Sequence, residues 1–337
     1  MCKMDLVMDM GSANTVIIDR KKGLVLSEPT IIAVKKQNGR FRTVAVGEEA
    51  RTLSFKRNKP DGVYFIYPIT GGTVTNSEAA SLLVKAFLER ITQRMIIRPQ
   101  FEIMSIVSCG LHTTERKEFE NIFYRLGIKS VTLVEAPIAA ASRVVAGCHF
   151  AVIMGGGITD IAIVTEKGIV TGCSIDISAA KMDEAIMNYI YATYNVTITK
   201  ARAADLRVKH GTLSERQNTV SKVNAKDMLD GHTKSIEITS QDIRAAIAPM
   251  INTLCEAILG ISNLCPSNLV ESINHAGLHI YGGVAGLKHL DRYLMDKLNL
   301  PIEVHADVNT LAQNCAVFFE DKPKLYRMLG INVGGKK

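Results

Sequence analysis

The chain has 337 residues, enough for two domains of ordinary size. Hydrophobic residues at 47% and charged residues at 22% exclude a disordered chain, with only Gly334, Gly335, Lys336 and Lys337 reading as loose. The formal charge of +7 fits an anionic partner such as phosphate or acidic lipid, but the charges are interspersed and no aromatic–basic interleaving occurs, so no nucleic acid partner is expected.

Residues 4–10 predict a strand that Gly11, Ser12, Ala13 and Asn14 break. Strand character resumes over 15–18 and 23–26, and 30–47 reads as a strand pair. The basic, Pro/Gly-punctuated stretch 51–62 reads as a loop, and Ser77 as the cap of a helix to about 91. A buried strand over 101–107, a helix over 114–126 stopped by Gly127, a strand over 130–134 and a small-residue helix over 137–146 complete the first half. The plan then restarts: strand 151–154, the turn Gly155-Gly156-Gly157, strands 159–164 and 168–177, and a helix over 181–194. A long helix over 240–264, with Thr239 and Asp242 as caps, precedes a strand over 278–281, a last helix and a strand over 302–304. One plan used twice predicts two α/β lobes with a ligand cleft between them.

Seven cysteines, Cys2, Cys109, Cys148, Cys173, Cys255, Cys265 and Cys315, form no C-x-x-C and read as reduced thiols of a cytosolic protein. No secretory signal is expected, and no run of about 18 apolar residues predicts a spanning helix. The eight histidines show no metal-ligand spacing and read as structural or surface residues.

Chemistry concentrates in three glycine turns at strand ends. In Asp9-Met10-Gly11-Ser12-Ala13-Asn14-Thr15, consecutive main-chain N–H groups suit phosphate oxygens, Gly11 permits close approach, and Ser12, Asn14 and Thr15 offer side-chain donors. Asp9 suits Mg²⁺ held through water. Taken alone, the segment is equally an ordinary hairpin turn. The second turn is Gly155-Gly156-Gly157-Ile158-Thr159-Asp160, the third Gly282-Gly283-Val284.

These turns, with Lys22–Pro29, Val46–Ala50 and Met182–Tyr189, resemble the actin, sugar kinase and heat-shock chaperone ATPase superfamily, and within it MreB-type bacterial actins, over about residues 4–318. The resemblance implies a two-lobed actin-like α/β fold, each lobe a mixed sheet flanked by helices, with a central nucleotide cleft. It implies a first lobe at 1–145 with a small insertion at about 30–75, a second at 146–319 with one at about 195–237, and a tail at 320–337 returning to the first. ATP and Mg²⁺ are the implied ligands, with Gly11, Ser12, Ala13, Asn14, Gly155, Gly156 and Gly157 on phosphates, Gly282 and Gly283 facing adenosine, and Asp9 on the metal side. Asp205 and Arg207 occupy the family's helix segment near the base, and otherwise belong to a solvated helix face.

The departures concern hydrolysis. The family glutamate that orients the attacking water is Ala136 here, with Glu135 one position off and, in an extended segment, on the other face. The family aspartate before the second turn is Ile153, its first threonine Ile158, and the third glycine of the last turn Val284, which a positive φ would suit poorly. Weak or absent ATPase activity is expected, unless Glu135 takes the role after a local shift.

In the family a loop before the 101–107 strand enters the membrane. Met95, Ile96 and Ile97 between Arg94 and Arg98 suit that role, or else begin the buried strand. Self-polymerisation, a place on the inner membrane surface with the membrane proteins of wall synthesis as partners, and a role in cell shape enter through the family alone. A small-molecule kinase lacks a candidate base here, and a chaperone-like or reactivase ATPase lacks room for a substrate domain.

Overall fold

The computed structural model describes residues 3–331 except Arg57, Lys59, Arg98, Val145 and Ala146. Cys2, Arg98 and the tail from Gly334 to Lys337, named above, therefore lie outside the described residues. Contacts divide the chain into two compact units, one of residues 1–146, 164–170 and 308–337, the other of 147–163 and 171–307.

The first unit opens with β1 (Lys3–Met10), β2 (Asn14–Asp19) and β3 (Gly23–Pro29), an antiparallel meander. Next come β4 (Ile32–Gln37), β5 (Arg40–Val46), α1 (Gly47–Phe55), β6 (Val63–Ile66), β7 (Ile69–Thr70) and β8 (Thr73–Val74). Then follow α2 (Ser77–Thr92), β9 (Gln100–Val107), α3 (Thr113–Tyr124), β10 (Ser130–Glu135) and α4 (Ala136–Ala140). The main sheet runs β10-β9-β1-β2-β3, with β9 parallel to β1 and β10, and β5-β4-β6 form a small sheet. Leu6, Met8, Ile17, Leu83, Phe87, Phe119 and Phe123 fill its core.

Two local readings need correction. Part of the stretch read as a loop is helical: α1 carries Glu48 and Glu49 in its first turn, where the helix dipole favours anions, and buries only Gly47 and Ala50. So small an apolar face leaves no periodicity to read. The cap of α2 is Asn76, whose side chain accepts from Ala79 N at 2.9 Å, one residue before the predicted Ser77.

The second unit holds β11 (Cys148–Met154), β12 (Thr159–Thr165) and β13 (Gly168–Ile175), apart from residues 164–170 at the tip of the β12–β13 hairpin, then α5 (Ala179–Tyr194), β14 (Val196–Thr197), α6 (Lys200–His210), β15 (Val220–Asp227) and β16 (Thr233–Thr239). Then follow α7 (Ser240–Asn263), α8 (Ser267–Ala276), β17 (Leu278–Tyr281), a 3₁₀ turn (Gly283–Gly286), α9 (Leu290–Leu298) and β18 (Ile302–His305). Its main sheet runs β13-β12-β11-β17-β18, so β11, β12, β13, β17 and β18 repeat the places of β1, β2, β3, β9 and β10. Helix α7 starts with the predicted capping box of Thr239 and Asp242. By length and composition α7 could cross a membrane, yet Ile243, Ile247, Ile251, Leu254 and Ile258 place one side of it in the core of this unit. The chain re-enters the first unit at Val308, earlier than the 320 read from sequence, through α10 (Thr310–Ala316) and α11 (Lys322–Met328).

Cys148, Cys255 and Cys315 are buried thiols and Cys109, Cys173 and Cys265 half-buried ones.

Candidate functional site

Two hairpin turns, one in each unit, share a geometry. Between β1 and β2, Gly11 N donates to Asn14 O at 3.0 Å; between β11 and β12, Gly155 N donates to Ile158 O at 3.0 Å. A Cβ on Gly11 would stand 3.1 Å from Asn14 O, and one on Gly155 3.0 Å from Ile158 O, so each tight closure favours glycine. Among the described residues, the amides of Ser12 and Ala13 in the first turn, and of Gly156 and Gly157 in the second, have no protein acceptor. Solvent-facing hairpins leave such donors to water, and a phosphate cradle uses the same donors.

The side chains divide. Ser12 Oγ accepts from Gly72 N at 3.3 Å, Asn14 is exposed, and Ala13 is exposed. Thr15, expected to add a donor, instead turns inward: fully buried, its Oγ1 lies 2.9 Å from that of Thr30. Its counterpart Thr159 is equally buried and donates to Ile177 O at 2.6 Å. The second turn is tied onward, since Gly155 O and Gly156 O accept from Ala179 N at 3.2 Å and Ala180 N at 3.1 Å, at the start of α5.

Asp9 is the last residue but one of β1, opposite Val16, and its side chain has no hydrogen-bond or ion-pair partner among the described residues. Burial pushes its carboxyl up to about 7. The same surroundings push up the thiol of buried Cys315 on α10, with the Asp9 charge adding to the effect. A carboxylate with no protein partner, beside uncovered amides, is the donor that a hydrated magnesium ion would use, so these residues fit that ion. Ile153, where the resemblance expects an aspartate, is buried in β11 and pairs in register with Tyr281.

Glu135 is extended, with φ −62° and ψ 138°, and Ala136, 5% exposed, opens α4 with no group that accepts a proton. Arg116 Nη1 donates to Glu135 Oε1 at 2.7 Å, while Oε2 is buried without a partner.

The residues that the resemblance assigns to adenosine, Gly282 and Gly283, lie in the second unit. Gly282 has φ +94°, and a Cβ there would meet the Met154 carbonyl oxygen at 2.5 Å. The strain anticipated at Val284 is absent: the left-handed residue is Gly282, whereas Val284 sits in the 3₁₀ turn, buried at 3% exposure. Gly283, Val284, Gly286 and Leu287 line a pocket of about 70 Å³ with Met182, Val208 and Arg207. Arg207 Nε donates to Asp183 Oδ1 at 2.7 Å, the two side chains being 13% and 7% exposed. Burial pushes the Asp183 carboxyl up against the pull of Arg207. Sequence reasoning missed Asp183; its spacing to the α5 apolar face carried no sign of a buried acid. Asp205 is not part of this lining: it pairs with Lys209 at 2.7 Å and Arg202 at 3.5 Å on the solvated face of α6.

In the first unit, Ile96 and Ile97 lie in a bend before β9, at 103% and 69% exposure, whereas Met95 packs against the core. The buried-strand alternative fails for Ile96 and Ile97.

A model of the MreB/Mbl protein family matches residues 3–326. The chain is 28% identical to the cell shape-determining protein MreB of Escherichia coli strain K12 over 315 residues, 90% of this chain and 89% of that one. It is 29% identical to the cell shape-determining protein Mbl of Bacillus subtilis strain 168 over 334 residues, 95% of this chain and 97% of that one. Among solved structures, MreB 5 of Spiroplasma citri bound to AMPPNP superposes with a TM-score of 0.85 at 23% identity, covering 96% of this chain and 97% of that one. A MamK double helical filament superposes at 0.75 and 14% identity, covering 95% and 99%.

Proposed function

Because the chain belongs to the MreB/Mbl protein family, we propose that it is an actin-like cytoskeletal subunit that binds ATP, polymerises with itself and serves cell shape or wall synthesis. The repeated turn carries this reading: a glycine amide closes each hairpin and the next two amides are left uncovered. In this reading the amides at Ser12, Ala13, Gly156 and Gly157 bind phosphate oxygens, and Gly282 and Gly283 approach the adenosine beside Arg207. Asp9 would hold Mg²⁺, which when bound supplies positive charge against the phosphates. Relatives and structural neighbours support it: one solved MreB 5 carries AMPPNP and MamK is seen as a filament.

Hydrolysis is weak or lost in this reading. Ala136 and Ile153 can neither orient water nor accept its proton, and Glu135 is engaged by Arg116. In this reading the protein is cytoplasmic, the exposed Ile96 and Ile97 beside cationic Arg94 meet the inner membrane surface, and the membrane proteins of wall synthesis are partners.

Phosphate release from ATP, measured on purified protein, tests the site. Release is expected at the level of an Asp9→Asn variant, while ATP still binds the wild type in the presence of Mg²⁺. Turnover well above that level, removed by Glu135→Gln, would give Glu135 the role and overturn the inactive reading. Absence of any ATP binding would remove the nucleotide assignment.

A further inference from the structure

Strands β17 and β18 are the last pair of the second sheet, parallel, with His279 opposite Glu303 and Tyr281 opposite His305. Alternation puts these four side chains on one face, away from Leu278 and Ile280, which enter the core. One donor atom from each of His279, Glu303 and His305 lies within 4.8 Å of the others. His279 Nδ1 stands 3.4 Å from His305 Nε2 and 3.3 Å from Glu303 Oε2, and His305 Nε2 stands 3.4 Å from Glu303 Oε1.

These separations suit a shared metal ion. Hydrogen bonds from imidazole to carboxylate settle near about 2.7–2.9 Å when charged, and the observed gaps are longer. A tetrahedral ion with bonds of about 2.0–2.1 Å spaces its donors about 3.3–3.4 Å apart, which matches the two imidazole nitrogens; each nitrogen faces a different Glu303 oxygen, Oε2 for His279 and Oε1 for His305, so a small turn of the exposed carboxylate would bring one oxygen to both. The rings are also held before any ion arrives. His305 stacks on Tyr281 at 4.5 Å and 12°, and the His149 ring lies 4.2 Å from that of His279. His149 Nε2 lies 3.0 Å from the Tyr281 hydroxyl, which braces the cluster from the buried side. Glu303, with a side chain 62% exposed, leaves the site open to solvent.

We propose that His279, Glu303 and His305 bind a divalent transition-metal ion of the zinc class, joining the last two strands of this sheet. Two imidazoles and a carboxylate suit Zn²⁺ with one position left for water, and the same donors take Co²⁺ or Ni²⁺. None of the three belongs to the glycine turns. The sequence hides the site because 24 residues separate His279 from Glu303 and only the parallel register joins them.

Calorimetric titration of Zn²⁺ into EDTA-stripped, dialysed full-length protein tests this. One saturable site is expected, weakened about tenfold or more in Glu303→Gln and abolished in His279→Ala/His305→Ala. His232→Ala, an exposed histidine outside the cluster, is expected to bind like the wild type. Glu303 is exposed, so its variant keeps the fold, which circular dichroism verifies. No saturable binding by the wild type, or wild-type affinity retained in Glu303→Gln or in the double variant, overturns the proposal.

Discussion

Gly282 and Val284 show how differently two neighbouring positions respond to a side chain. Ala at 282 must adopt a left-handed φ, at about 1–2 kcal/mol, and also clash with the Met154 carbonyl. Gly282→Ala is expected to lower stability by about 2–4 kcal/mol in urea unfolding. Restoring the family glycine by Val284→Gly repairs nothing, because Val284 is unstrained and buried; the loss of its burial is expected to cost about 2 kcal/mol. At His149, burial, with the charges of His279 and His305, pushes the imidazole down to about 3 from an ordinary value of 6.5. The unfolded chain therefore takes up this proton first as acid is added. Its contribution is complete above about pH 6.5 and is lost as pH falls toward 3. A thermal melt series is expected to show a smaller fall in midpoint between pH 7 and pH 5 for His149→Gln than for the wild type.

The loop between α2 and β9 is where one element carries a separable property. Ile96 and Ile97 are exposed while Met95 is packed, so Ile96→Ser/Ile97→Ser is expected to leave the melting temperature within about 2 °C and to abolish pelleting with anionic liposomes. Pelleting equal to the wild type would detach this loop from the membrane. Elements of this kind differ in how far the sequence exposes them. The meanders and glycine turns were readable, since β-branched runs broken by small residues have few alternatives. Helix α8 was not, because it buries only Ile273 and follows Cys265-Pro266, which reads as punctuation. In α6 the sequence puts Asp205 and Arg207 on an equal footing, and two positions of helical rotation separate a solvated ion pair from a pocket wall. Asp183 stayed hidden because partnership with Arg207 over 24 residues leaves no local mark.

For the whole chain, the two sheets share one strand order, so a single plan accounts for both units and for the paired turns within them. That much the sequence disclosed as an echo. The proposed loss of hydrolysis also has a consequence for the polymer, followed in time. Filaments grown with ATP are expected to disassemble on dilution as slowly as filaments grown with a non-hydrolysable analogue, when turbidity is recorded. Faster decay with ATP would reveal a working hydrolytic group and contradict the reading of Ala136 and Ile153.

The second turn hands two carbonyls to the opening amides of α5, at Ala179 and Ala180. Helix α5 in turn packs on α6 and α7. Turn and helix are thus yoked, so a change at the turn is felt first by the opening residues of α5. Deuterium uptake at those two amides consequently serves as a gauge of whether the turn is gripped, readable far from any radiolabel or fluorophore.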